Sequence, residues 1–216
     1  MPILHGVNAS PFVRKVRIAL SLKGIEYESN PIMPMAVPEE YRKKSPLGKI
    51  PCFEDGDFVL PDSSVIIAYL EKKQPEPALY PSDAQACGRA LWFEEYADTK
   101  CGESFGPKIF FQRVVNAKIL KQPVDEAVVE KAIENDLPPI FDYLESQAPE
   151  SGDAIVGGSF SIADIAIGSQ FVNLGHAGVT VDSSRWPRLA AYVAAVCANP
   201  QLKQLIEEEK AQLATL

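Results

Sequence analysis

Three short stretches hold residues whose type and spacing suit chemistry on a small polar ligand: Ser10-Pro11, Lys49-Ile50-Pro51 and Asp62-Ser63. Serine followed by proline, just where a helical pattern begins, is an N-cap with proline at the first helical position. Such a hydroxyl either only caps the helix or also donates a hydrogen bond to an anion, such as a thiolate, held at the helix N-terminus. In the second stretch an X-Pro bond enters a strand. Left trans, it marks an edge strand; turned cis, it would aim the N–H and C=O of Ile50 outward to pair with an extended peptide ligand. The third stretch follows a strand and opens a helix. There a carboxylate beside a hydroxyl and free helix N–H groups either caps, or receives both the ammonium and the carboxylate of an α-amino acid. A fourth motif, Phe160-Ser161-Ile162-Ala163-Asp164-Ile165, has capping-box and hydrophobic-staple spacing and reads as structural: it fixes where an apolar helix starts.

The elements that position these residues differ between the two halves of the chain. Residues 2–5 and 26–31 read as strands, 11–23 as an amphipathic helix, and 39–44 as a short polar helix. Residues 50–53 and 58–60 flank an Asp-Gly hairpin signal, and 63–73 is again helical. That order predicts a small mixed α/β sheet. The segment QPEPALYPSDA carries three prolines and no periodicity. We therefore expect domains over 1–75 and 84–216, with 76–83 as linker. Beyond the linker every periodic stretch is helical: 84–105, a break at Gly106-Pro107, 108–115, 126–146 with a kink at Pro138-Pro139, 161–174, 187–198 and 200–214.

Bulk properties exclude several classes. With 46% hydrophobic and 23% charged residues the chain reads as a folded soluble protein. A net charge of −8 and a pI near 4.9 speak against general nucleic-acid binding. No apolar run reaches membrane-helix length and no secretory signal is visible, so the expected location is cytoplasmic. Two histidines and four scattered cysteines offer no metal-ligand spacing, and reduced thiols are expected.

Taken jointly and in order, SPFVRKVRIAL (10–20), SPLGKIPCFEDGDFVLPDSSVIIAYLE (45–71), GGSFSIADIAI (157–167) and WPRLAAYVAAVCANP (186–200) resemble segments of the glutathione transferase superfamily over essentially the whole chain. The serine-type cytosolic members are the nearest match. The resemblance implies a thioredoxin-like α/β N-terminal domain that binds glutathione and an all-α C-terminal helical domain that contributes the electrophile site. It implies a detoxifying transferase that conjugates the thiolate of glutathione, its co-substrate, to a hydrophobic electrophile. It also implies a homodimer and needs no metal. Glutathione peroxidase activity, or a non-catalytic binding role on the same fold, are the alternatives. Relatives that carry out disulfide exchange or dehydroascorbate reduction have cysteine where this chain has Ser10.

The same resemblance assigns roles. Ser10 would donate to the glutathione sulfur, and Ile50, before a cis Pro51, would pair its backbone with the cysteinyl residue. Asp62 and Ser63 would hold the γ-glutamyl end, and Lys49 would lie near the glycyl carboxylate. Phe12, Phe105, Phe110 and Phe111 are candidates for the electrophile pocket, although phenylalanines at helical spacing suit a core equally. Arg14, Lys15 and Arg17 could raise the potential near the thiolate, with a solvated helix face expected for at least two of them.

Overall fold

The apolar N-terminal run forms β1 (Ile3–His5), and the Ser10 cap starts α1 (Pro11–Leu22). A computed structural model describes all 216 residues, and the chain resolves into two compact units, Met1–Tyr80 and Pro81–Leu216. The first unit continues with β2 (Glu28–Asn30), α2 (Glu39–Lys44), β3 (Cys52–Asp55), β4 (Phe58–Pro61) and α3 (Ser63–Lys73). The strand order is β2-β1-β3-β4, with β1 parallel to β2 and the other two pairs antiparallel. This mixed sheet with its helices is a thioredoxin-like arrangement.

Register decides where the chemistry can gather. His5 lies opposite Cys52, and Cys52 opposite Pro61. The next residues outward, Gly6, Pro51 and Asp62, therefore leave the sheet at the same end. Strand β3 begins at Cys52 rather than Ile50, because the cis Ile50–Pro51 bond and the missing proline N–H keep that dipeptide out of the ladder.

Helix α1 departs from the sequence expectation. All eight residues 13–20 are buried, including Arg14, Lys15 and Arg17, so its basic side chains are not a solvated face. Their polar ends find partners inside: Lys15 Nζ donates to Ser64 Oγ at 3.2 Å, and Arg17 Nε to the Tyr27 hydroxyl at 3.2 Å. Lys23, just past the helix, is buried as well. It pairs with Glu71 at 2.7 Å and donates to the carbonyls of Gln74 (2.7 Å) and Pro77 (3.0 Å).

The second unit is helical throughout. It begins with α4 (Ala84–Tyr96), a wider π-type turn (Ala97–Cys101), α5 (Gly102–Phe105) and a long π-type segment (Gly106–Leu120). Gly106-Pro107 thus does not break the helix. The backbone changes register there, which puts Pro107 in the first turn of the new segment, where its absent N–H forfeits no bond. Similarly, α6 (Glu126–Lys131) runs through a π-type turn (Ala132–Asp136) into α7 (Leu137–Gln147), so the irregularity precedes Pro138 rather than following it.

Helices α8 (Ile162–His176), α9 (Pro187–Ala198) and α10 (Pro200–Ala214) complete the unit. Residues 162–174 of α8 are all buried, and α8 and α9 approach so closely at Gly168 that a Cβ there would sit 2.5 Å from Val196. Phe105 is fully buried among Phe141 and Phe171, with ring centroids 6.3 and 5.4 Å away. It is therefore a packing residue of this core and leaves the set of pocket candidates. No helix is long and apolar enough to cross a membrane.

Candidate functional site

The turn after β1 carries Ser10. Its backbone is extended (φ −72°, ψ 127°), and its hydroxyl oxygen accepts from Val13 N–H at 3.4 Å. That is a long cap bond, and it uses the oxygen only as an acceptor, so the hydroxyl hydrogen can point away from the helix. Gly6, in the same turn, has φ +139°, and a Cβ there would lie 2.5 Å from Val13 and 3.2 Å from Ile50. Only a glycine lets the first turn of α1 and Ile50 come together here.

The peptide bond between Ile50 and Pro51 is cis. Neither the N–H nor the C=O of Ile50 bonds to another backbone group. Just before it, the Lys49 carbonyl accepts from the Tyr41 hydroxyl (2.9 Å) and from Ser45 Oγ (2.8 Å), which fixes the approach to Ile50. Sequence reading gave neither donor a role, although Ser45 opens the 45–71 segment. The Lys49 side chain is exposed.

Asp62 joins this arrangement through its own N–H, which donates to the Pro51 carbonyl at 3.3 Å. It caps α3: Oδ1 accepts from Ser64 N–H (3.0 Å) and Val65 N–H (3.2 Å). The residue is exposed and has φ +81°, a left-handed value that favours glycine. Oδ2 takes no part in the cap. Ser63, next in the chain, is 4% exposed. Ser10, Ile50-Pro51 and Asp62-Ser63, some fifty residues apart in sequence, thus occupy one end of the sheet of the first unit.

Beneath them lies a polar cluster. His5 is 3% exposed; one ring nitrogen meets Glu54 and the other is 2.9 Å from the Asn30 amide, while Lys44 also pairs with Glu54. Burial holds the His5 pKa below its usual value, and the Lys44 hydrogen bond holds Glu54 below the usual carboxylate range. A neutral imidazole therefore links β1, β2 and β3, and Lys44 ties the end of α2 to them. Cys52 is buried and its thiol is pushed up to about 11 by desolvation, which leaves it unreactive at neutral pH.

Of the aromatic candidates, Phe12 and Phe111 are partly exposed and Phe110 is 9% exposed. They stand on different units, Phe12 on α1 and the other two in the π-type segment. No group of three or more His, Cys, Asp or Glu side chains is arranged to hold a metal ion.

Comparison with known proteins gives a consistent result. Residues 4–78 match the family model "Glutathione S-transferase, N-terminal domain", and residues 110–209 match "Glutathione S-transferase, C-terminal domain". A glutathione S-transferase of Triticum aestivum is 46% identical over 90 residues, 42% of either chain. Maleylacetoacetate isomerase of Rattus norvegicus is 28% identical over 197 residues, 88% of this chain and 84% of the rat protein. The chain spans about two fifths of the length of the first curated relatives it matches. Among solved structures, apo human glutathione-S-transferase T1-1 superposes with a TM-score of 0.83 over 99% of this chain and 89% of the human one, at 23% identity. At that identity the likeness speaks to the fold alone.

Proposed function

Because the chain belongs to the glutathione transferase superfamily, we propose that it binds glutathione at the sheet end bearing Ser10, Ile50 and Asp62, and conjugates its thiolate to a hydrophobic electrophile. The observation that carries this reading is the convergence there of three groups with spare hydrogen-bonding capacity. These are the Ser10 hydroxyl hydrogen, the backbone of Ile50 and Oδ2 of Asp62. They suit, in turn, a sulfur anion, an extended cysteinyl backbone and a γ-glutamyl ammonium. Ser63 and the first turn of α3 would take the α-carboxylate, and Lys49 the glycyl carboxylate.

A free thiol with pKa about 8.5 is only a few per cent ionised at neutral pH. Lowering that value by two units needs about 2.7 kcal/mol of selective stabilisation of the anion. A charge-assisted hydrogen bond from Ser10, roughly 1.5–3 kcal/mol, together with the N-terminal field of α1, is of that size. The bound tripeptide supplies nucleophilic sulfur, while the protein's residues orient it and keep it ionised. Phe12, Phe110 and Phe111 are the proposed apolar contacts for the electrophile. A second copy of the chain is the proposed partner, since Leu91 and Trp92 on α4 and Phe58 on β4 leave large apolar side chains exposed. Sedimentation showing only a 23.6 kDa species would remove that part.

One observation favours a second reading. One relative aligned along most of both chains is named as an isomerase, while another so aligned is named as a transferase. A thiolate held by Ser10 could add to a conjugated cis double bond, permit rotation about the resulting single bond, and leave again. Turnover assays with glutathione and aryl halides, hydroperoxides, enones and cis-enone acids test both. Conjugation consumes one thiol per product, isomerisation consumes none, and absence of turnover with all of them defeats the proposal.

A further inference from the structure

Lys15 is fully buried, which is rare for lysine, and its ammonium donates to Ser64 Oγ, at 3.2 Å, across the gap between α1 and α3. Ser64 is the second residue of α3, and its N–H in turn donates to Asp62 Oδ1 at 3.0 Å. A line of hydrogen bonds therefore runs from the buried ammonium to the capping carboxylate. Ser63, the proposed carboxylate contact, stands between the two residues it joins. A buried charge is weakly screened by water, so the ammonium adds to the potential at the adjacent helix N-terminus. That terminus is already electropositive.

We propose that Lys15 is a positioning residue for the γ-glutamyl α-carboxylate. It fixes the first turn of α3 through Ser64 and sets the positive potential against which that carboxylate binds. Lys15 is too deep to touch the ligand, so it works through Ser64 and through its field. Asp62 and Lys15 then divide one task. Asp62 recognises the ammonium of an α-amino-acid head, and Lys15 makes the neighbouring turn select a carboxylate on the same carbon. The site would discriminate against peptides lacking that group. This inference rests on the glutathione reading above.

The test compares the wild-type protein with Lys15→Met, which keeps the length of the side chain and removes the charge, and with Lys15→Arg. Each is titrated calorimetrically with glutathione and with its analogue in which hydrogen replaces the γ-glutamyl α-carboxylate. Lys15→Met should weaken glutathione binding about tenfold while binding the analogue as the wild type does, and Lys15→Arg should recover most of the loss. Equal loss for both ligands would show a purely structural role and overturn the inference, as would unchanged glutathione affinity. If Lys15→Met does not fold, Ser64→Ala carries the same expectation at about threefold, with the same overturning outcomes. A wild-type protein that binds neither ligand would instead refute the glutathione reading itself, a result separable from any effect of the substitutions.

Discussion

Among the aspartates that serve helix starts, Asp62 in the first unit and Asp164 in the second do so in opposite ways. Asp164 in α8 is 0% exposed. Its Oδ2 accepts from Ser161 N–H (2.8 Å) and Ser161 Oγ (3.1 Å), and its Oδ1 from Ile155 N–H (2.8 Å) and the Tyr192 hydroxyl (2.7 Å). Both oxygens are saturated from within. Asp62 at α3 is exposed, uses one oxygen for its helix, and holds φ at +81°. A cap that serves only the fold closes on itself. Asp62 leaves Oδ2 outside its cap, as the proposed ligand role requires.

Substitutions can break or sharpen this contrast. The largest effect is expected for Asp164→Ala, which strands buried donors on three segments. It should cost about 3–4 kcal/mol and lower the thermal midpoint by on the order of 10 °C. A calorimetric scan that superimposes on the wild type would show the box to be dispensable. Next comes Ser10→Ala, expected to raise the pKa of bound glutathione by about one to two units, read from the thiolate's ultraviolet absorbance. An unmoved midpoint would pass the role to another donor, with Asn8 the first to try.

Asp62→Gly should separate the two functions of its cap. Glycine accepts the positive φ and caps nearly as well, so stability should stay within about 1 kcal/mol, while glutathione affinity falls about tenfold. Unaltered affinity would mean that the Asp62 cap, like that of Asp164, serves only the fold.

The smallest effect is a pH dependence. Desolvation, outweighing the donors around it, lifts the Asp164 carboxyl from 3.8 to about 6. The folded state then holds that proton more tightly than the unfolded state, so stability from this group declines as pH rises from about 4 to about 6. Taking the protein from pH 7 to pH 5 should favour the wild type over Asp164→Asn by about 1 kcal/mol in urea unfolding. A gap that is constant, or that moves the other way, would mean the carboxyl is not raised.

Local signals carried the legible part of the sequence. Helices 39–44, 63–73, 187–198 and 200–214 coincide with α2, α3, α9 and α10, because caps and prolines near their ends announce them. The cis Ile50–Pro51 bond was one of two readings open in the sequence, and the ligand chemistry suggested by Ser10 and Asp62 came from motifs of two or three residues. What stayed hidden depends on tertiary surroundings. Nothing in FVRKVRIAL announces that three basic side chains will be enclosed. Phe105 looks the same whether it faces a pocket or Phe171. The continuation through Gly106-Pro107 required a change of helical register that no residue pattern encodes.

The Lys23 cluster bears on where the chain can be cut or extended. The proline-rich boundary looks like a flexible tether, the kind of segment that proteases nick and that accepts inserted domains. Yet Lys23 grips the carbonyls of Gln74 and Pro77, and Glu71 accepts from Leu79 N–H at 3.1 Å. From the other side Asp83 caps α4 through Ala86 N–H at 2.9 Å. The tether is thereby shortened from both ends, so limited proteolysis should find its opening only within residues 80–82. An insertion placed there would leave both anchors intact, whereas one placed a few residues earlier would have to displace a buried ammonium from its partners.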